Sequence, residues 1–193
     1  IGATYSYNSG ISDRRGRQSG TVLYLDSLGK ETLPDYQKFG IDFLFKYRGF
    51  SVLGEFIKTS ATVPKTISQR VRTDGTASTT FLVNGVQDVP NYVKGRMMLG
   101  SGFNIQAGYL FTNGFSIDAR YTKLQADANS FLNNATFYNR PEFYSLCASR
   151  YVGRNYGAKV QASVSWNKAN AGSLTVTGKP LTGNELSAAL MFT

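Results

Sequence analysis

The chain has 193 residues, 41% hydrophobic and 17% charged, and its 21 Lys and Arg outnumber 12 Asp and Glu to give a formal charge of +9. A mean hydropathy of −0.23, with no apolar run near the roughly 18 residues a spanning helix needs, excludes a helical membrane protein. The absence of histidine and the single cysteine, Cys147, remove the usual general base, the commonest metal ligand, any internal disulfide and any cysteine-built metal site.

Eight runs of alternating apolar and polar residues, bounded by turn residues, are read as β-strands. The first covers Ile1 to Tyr7, and because the chain opens inside it the sequence is expected to continue a longer one. About 30 residues, Arg14, Arg15 and Arg17 among them, lead to the second run, Lys38 to Tyr47. There Phe39, Ile41, Phe43, Phe45 and Tyr47 share one parity, and Lys38, Gly40, Asp42, Leu44 and Lys46 the other. A strand so patterned has one aromatic face and one mostly polar face. Arg48-Gly49 then turns the chain into the third run, Phe50 to Thr59. A two-residue turn sets Tyr47 opposite Phe50, Phe45 opposite Val52 and Ile41 opposite Phe56, and lays Phe43 beside the bare backbone of Gly54. It also sets Asp42 opposite Glu55, a like-charge pair expected to hold Lys38, Lys46 or another basic residue close.

About 37 residues, with Lys65, Arg70 and Arg72 in them, precede the run Met97 to Phe111. Asn113-Gly114 tolerates the positive φ of a tight reversal and leads into Phe115 to Leu124. Phe103, Ile105, Ala107 and Tyr109, and then Phe115, Ile117, Ala119 and Tyr121, make the apolar sides. Asp118 and Arg120, two residues apart on the polar side, are spaced for a structural ion pair. After about 17 residues comes Glu142 to Val152, where Glu142 and Arg150 share a parity with Tyr144, Leu146 and Ala148. Because a charge facing lipid at mid-depth costs about 2 to 4 kcal/mol, Glu142 and Arg150 are expected on the polar side. That leaves Ser145, Cys147 and Ser149 on the outside, packed against another subunit. Gly153-Arg154-Asn155 turns into Tyr156 to Asn167, in which Ala158, Val160, Ala162, Val164 and Trp166 alternate with Lys159, Gln161, Ser163 and Ser165. About 16 residues later the last run, Asn184 to Phe192, ends the pattern.

Short turns therefore alternate with long connections, so one end of the sheet collects every tight reversal and the other every long loop. The 13 Phe and 12 Tyr gather near strand ends, as interfacial girdles require. The expected fold is all-β: a transmembrane antiparallel up-and-down β-barrel occupying residues 1–193 as a single domain, apolar side to lipid and polar side to water.

The stretches DYQKFGIDFLFKYRGFSVLGEF at Asp35 to Phe56, GFNIQAGYLFTNGFSIDARYTKL at Gly102 to Leu124 and GAKVQASVSW at Gly157 to Trp166 resemble the C-terminal half of the phosphate-selective porin O and P family. The resemblance implies eight strands of a sixteen-stranded barrel that assembles as a trimer, in the bacterial outer membrane, and that takes up phosphate. One departure is that Thr193 follows the final aromatic. The alternative is a complete eight-stranded barrel with a structural or envelope-assembly role, its interior filled by side chains.

The functional expectation is a porin passing small solutes, in which wall-lining Lys38, Lys46, Arg120, Arg150 and Lys159 favour anions, with Asp42, Glu55 and Asp118 among them; phosphate is implied by the resemblance alone, and the alternative is that these mixed charges only pair with one another. Expected partners are outer-membrane lipid and lipopolysaccharide, small anions such as phosphate, and sister subunits or a larger envelope complex. No cofactor and no metal are expected. No Walker loop, dinucleotide fingerprint or EF-hand spacing occurs, and Ser101 between two glycines lacks a nucleophile elbow, so an enzyme is not expected. A soluble basic β-protein that binds nucleic acid is the third reading; it is disfavoured because the aromatics lie on nearly every run, segregated from the charges.

Overall fold

The computed structural model describes residues 1–11, 14–15, 19–72, 74–130, 141–152, 157–168 and 184–192. The strands are β1 (Gly2–Asn8), β2 (Arg14–Arg15), β3 (Ser19–Leu25), β4 (Asp35–Tyr47), β5 (Phe50–Thr62), β6 (Gln69–Arg72), β7 (Ala77–Ser78), β8 (Leu82–Val83), β9 (Val86–Gln87), β10 (Gly100–Leu110), β11 (Phe115–Ala126), β12 (Glu142–Val152), β13 (Ala158–Lys168) and β14 (Glu185–Phe192). One short helix, α1 (Val89–Lys94), stands between β9 and β10. No helix among the described residues is long and apolar enough to cross a membrane.

Eight strands form one antiparallel sheet in the order β1-β4-β5-β10-β11-β12-β13-β14, an up-and-down arrangement whose edges are β1 and β14. Its hairpins follow from local chemistry. Arg48 and Gly49 both take positive φ, 44° and 85°, the geometry whose twist matches a two-residue reversal between strands. The register that follows is the expected one, Tyr47 opposite Phe50 through Asp42 opposite Glu55. A Cβ on Gly54 would collide with the Phe43 ring, so the glycine is the seat of that aromatic. In the next hairpin Gly114 has φ 79°, and Asn113 Oδ1 accepts a hydrogen bond from the Phe115 N–H at 3.0 Å. The expected turn at 153–155 lies outside the described residues.

Register carries the apolar side across the sheet. One row reads Phe43, Gly54, Ile105, Tyr121, Tyr144, Trp166, Leu186. Within it Tyr121, Tyr144 and Trp166 stack with ring centroids 4.9 and 5.0 Å apart. This row corrects the expected orientation of β12. Tyr144 stands between Tyr121 and Trp166, and Leu146 between Ala119 and Val164. Ser145, Cys147 and Ser149 consequently face the polar side, while Glu142 and Arg150 share the apolar one. A single strand offers two parities; its neighbours decide between them by packing. The two charges fall near strand ends, where a long side chain reaches past the apolar band. Glu142, the first residue of β12, meets Lys123 Nζ at 3.5 Å, and Arg150 is exposed two residues before its end.

The long connections are not plain loops. β3 pairs with β6, which extends into a four-stranded sheet of β2-β3-β6-β7. Asn84 (φ 51°) and Gly85 (φ 82°) close the small β8-β9 hairpin. Asp88 caps α1 by accepting from the Asn91 N–H at 3.1 Å. Together they enclose the buried apolar cluster of the described residues: Tyr24, Ile67, Phe81, Val93, Met97 and Leu99. This cap is joined to the connection that follows β11 by the buried Ser130 hydroxyl, which donates to Met97 O and accepts from Leu99 N–H, both at 2.8 Å.

Candidate functional site

The side chains able to meet a solute gather on the polar side of the eight-stranded sheet. The sheet's alternation and register place them in rows. One row runs Asp42, Glu55, Asn104, Thr122, Phe143, Asn167, Glu185. One pair nearer the short turns stand Gln106, Arg120, Ser145 and Ser165, and in the row after that Lys46, Ser51, Gly108, Asp118, Cys147 and Ser163. Lys159 opposes Tyr151 lower still, and Lys38 opposes Thr59 near the long-connection end.

Seven of the eight expected residues thus share one face: Lys38, Lys46, Arg120, Lys159, Asp42, Glu55 and Asp118. Arg150 does not, because its register partners are Phe115 and Val160 of the apolar side. Parity already turns Asn104 and Thr122 to the polar side without marking them as site residues, and it passes over Asn167 and Glu185; register brings all four into the carboxylate row. The alternation of β14 held the signal, since Glu185 and Ser187 oppose the parity of Leu186 and Leu190.

The expected internal pairings do not form. Among the described residues, the cation foreseen beside Asp42 and Glu55 makes no ion pair with either; on the side of Glu55 away from Asp42, Asn104 Nδ2 donates to Glu55 at 3.3 Å, and Thr122 Oγ1 donates to Asn104 Oδ1 at 2.9 Å. Asp118 accepts from Ser116 Oγ at 3.2 Å and lies over Gly108, where a Cβ would strike it, in place of the ion pair with Arg120. Among the described residues, Lys38, Lys46, Arg120 and Lys159 make no ion pair. Asn167 Oδ1 is buried without a hydrogen-bond partner. Ser145 and Ser165 share a hydrogen bond of 2.8 Å, and Cys147 lies 3.7 Å from the Ser149 hydroxyl.

A cavity of about 470 Å³ lies on this face, bordered by Gln106, Asp118, Arg120, Tyr151, Lys159 and Gln161. A second, of about 420 Å³, lies at the short-turn end beside Lys46, Arg48, Ser51 and Asp118. Among the described residues no group of three or more His, Cys, Asp or Glu is arranged to hold a metal.

The opposite face is apolar and uncovered. Phe45, Tyr47 and Leu146 are 53%, 57% and 57% exposed, whereas Tyr24 and Phe81 in the cap are 0% exposed. In the cap, the Arg70 and Arg96 guanidiniums lie 4.9 and 4.4 Å from the Tyr92 ring centroid, and Arg70 Nε donates to Thr80 O at 3.0 Å. Lys65 and Arg72 are exposed. Arg14 and Arg15 form β2, and Arg17 lies outside the described residues. Compared with protein-family models, curated proteins and solved structures, the chain matches none.

Proposed function

We propose that the eight-stranded sheet is wall of a transmembrane β-barrel in a bacterial outer membrane, a porin through which small hydrophilic solutes diffuse. The observation that carries this reading is the contrast between the faces: one apolar face whose large side chains stay exposed among the described residues, and one face holding charges, amides and hydroxyls. Eight strands at about 4.8 Å spacing, with outward side chains over some 26 Å of strand, present on the order of 1,000 Å² of apolar face. Soluble monomers rarely expose a patch beyond roughly 300–600 Å². Strand lengths support the same conclusion. β4 and β5 have 13 residues and β10, β12 and β13 have 11, against the roughly 9–11 a tilted spanning strand needs. The cap, built from long connections, then stands on the extracellular side, and the short turns face the periplasm.

Charge on the wall argues for weak ion selectivity. With Arg150 outside, Lys38, Lys46, Arg120 and Lys159 are balanced by Asp42, Glu55, Asp118 and Glu185. The excess of +9 therefore belongs to the connections, the turns and the outer rim. Such charge acts on anions through the solvent, over a Debye length of about 10 Å at 0.1 M salt and 3 Å at 1 M. Reconstitution in a planar bilayer tests this: the reading expects ohmic channels with a slight anion preference in reversal potential at low salt that fades toward 1 M. Absence of channels would remove the porin reading, and strong anion preference at high salt would restore the phosphate-type selectivity that the family resemblance implies.

A further inference from the structure

The wall separates its charge by level, and this deepens the porin reading, on which it rests. Asp42, Glu55 and Glu185 stand in a single register row. Toward the short turns the following row holds Arg120, and the row after it Lys46. That lower level holds one carboxylate, Asp118, half-buried and hydrogen-bonded by Ser116, against the two cations. Gln106, Ser145 and Ser165, neutral donors and acceptors, share the Arg120 row, in which Leu44 and Leu53 separate the carboxylates from Lys46. Asp42 and Lys46 are four residues apart on β4, about 13 Å between Cα atoms at about 3.3 Å per residue. The long Lys and Arg stems shorten the gap between the charges themselves.

An extended peptide advances about 3.3–3.6 Å per residue, so one of about two to four residues carries its ammonium and its carboxylate at matching separation. We propose that the solute class favoured by this wall is the short zwitterionic peptide. Its N-terminal ammonium meets the Asp42 and Glu55 row, its C-terminal carboxylate meets either Lys46, on the strand of Asp42, or Arg120, two strands from Glu55, and its amides exchange hydrogen bonds with Gln106. An inorganic anion meets a barrier at the carboxylate row and a simple cation meets one at the Arg and Lys level, whereas the zwitterion gains at both. The wall cations and Asp42 form no ion pairs among the described residues, so they are open to such a partner.

The test is osmotic swelling of proteoliposomes holding the full chain, with triglycine, its N-acetyl and C-amide derivatives, and glucose of similar mass. Triglycine is expected to enter about fivefold faster than either blocked form, the scale of the one exposed ion pair that each blocked form has lost. The Asp42→Asn, Glu55→Gln double variant is expected to bring triglycine down to the rate of glucose through the same variant. If triglycine, its blocked forms and glucose enter the unaltered protein at equal rates, the peptide assignment falls and the pore stands. If no solute enters, the pore reading falls with it.

Discussion

A side chain at Gly54 would have to share space with the ring of Phe43. Gly54→Val is therefore expected to destabilise the folded chain by about 1–3 kcal/mol through overpacking, read as a shifted urea midpoint in detergent. Gly102→Val is the control, because a Cβ there meets nothing within 4 Å; equal losses at both positions would contradict the packing argument. This contact was legible in the sequence, since a two-residue turn leaves one register only. Arg150 was not legible, because its face is fixed by Phe115 and Val160 on two neighbouring strands. In the cap, Thr76 donates its hydroxyl at 2.6 Å and its backbone N–H at 2.9 Å to Asp74 Oδ1. Those bonds, hydroxyl first, hold the Asp74 carboxyl below its ordinary 3.8, with Arg72 adding to the effect. A lowered folded-state value means that the contribution is present above the unfolded value and is lost as pH falls through the folded one. The Thr76 amide resonance should titrate with a midpoint below 3.8 as pH falls; a midpoint above it would contradict the bonding.

At the scale of the element, β12 tests how depth governs charge. Leu146 stands mid-strand between Ala119 and Val164, while Arg150 lies near the short-turn end. On the proposed reading Leu146→Arg costs about 2–4 kcal/mol, whereas Arg150→Leu changes stability by about 1 kcal/mol or less, both measured by unfolding in lipid. Equal costs would mean that the face does not meet lipid. The cap rests on Ser130, whose hydroxyl is buried between Met97 O and Leu99 N–H. Ser130→Ala leaves both groups short of a partner, a loss of about 1–3 kcal/mol. Hydrogen exchange should quicken at Leu99 and through α1 while β11 to β13 stay protected; uniform quickening would show that cap and sheet unfold as one unit. The cap itself escaped sequence reading because its core joins Tyr24 to Ile67 and Phe81, contacts between two connections that carry no shared period. Asn84-Gly85, flanked by Leu82-Val83 and Val86-Gln87, was its one local signal of a hairpin.

For the whole molecule, the eight long strands and their order were legible because each alternates over enough residues to declare a period, and each tight turn fixes a neighbour. The distribution of charge was legible only in part. A formal +9 suggested a cationic wall, but balance on that wall emerges once register turns Arg150 outward and brings Glu185 into the carboxylate row. The central claim is that acyl chains touch one face and water the other. Spin labels placed singly on Cys147→Ser protein in liposomes measure it directly, at Phe43, Ile105 and Val164 and at Lys46, Arg120 and Ser163. The account predicts collision with dissolved oxygen at the first three and with a water-soluble nickel chelate at the last three. Nickel access at all six positions, or the opposite pattern, would contradict it.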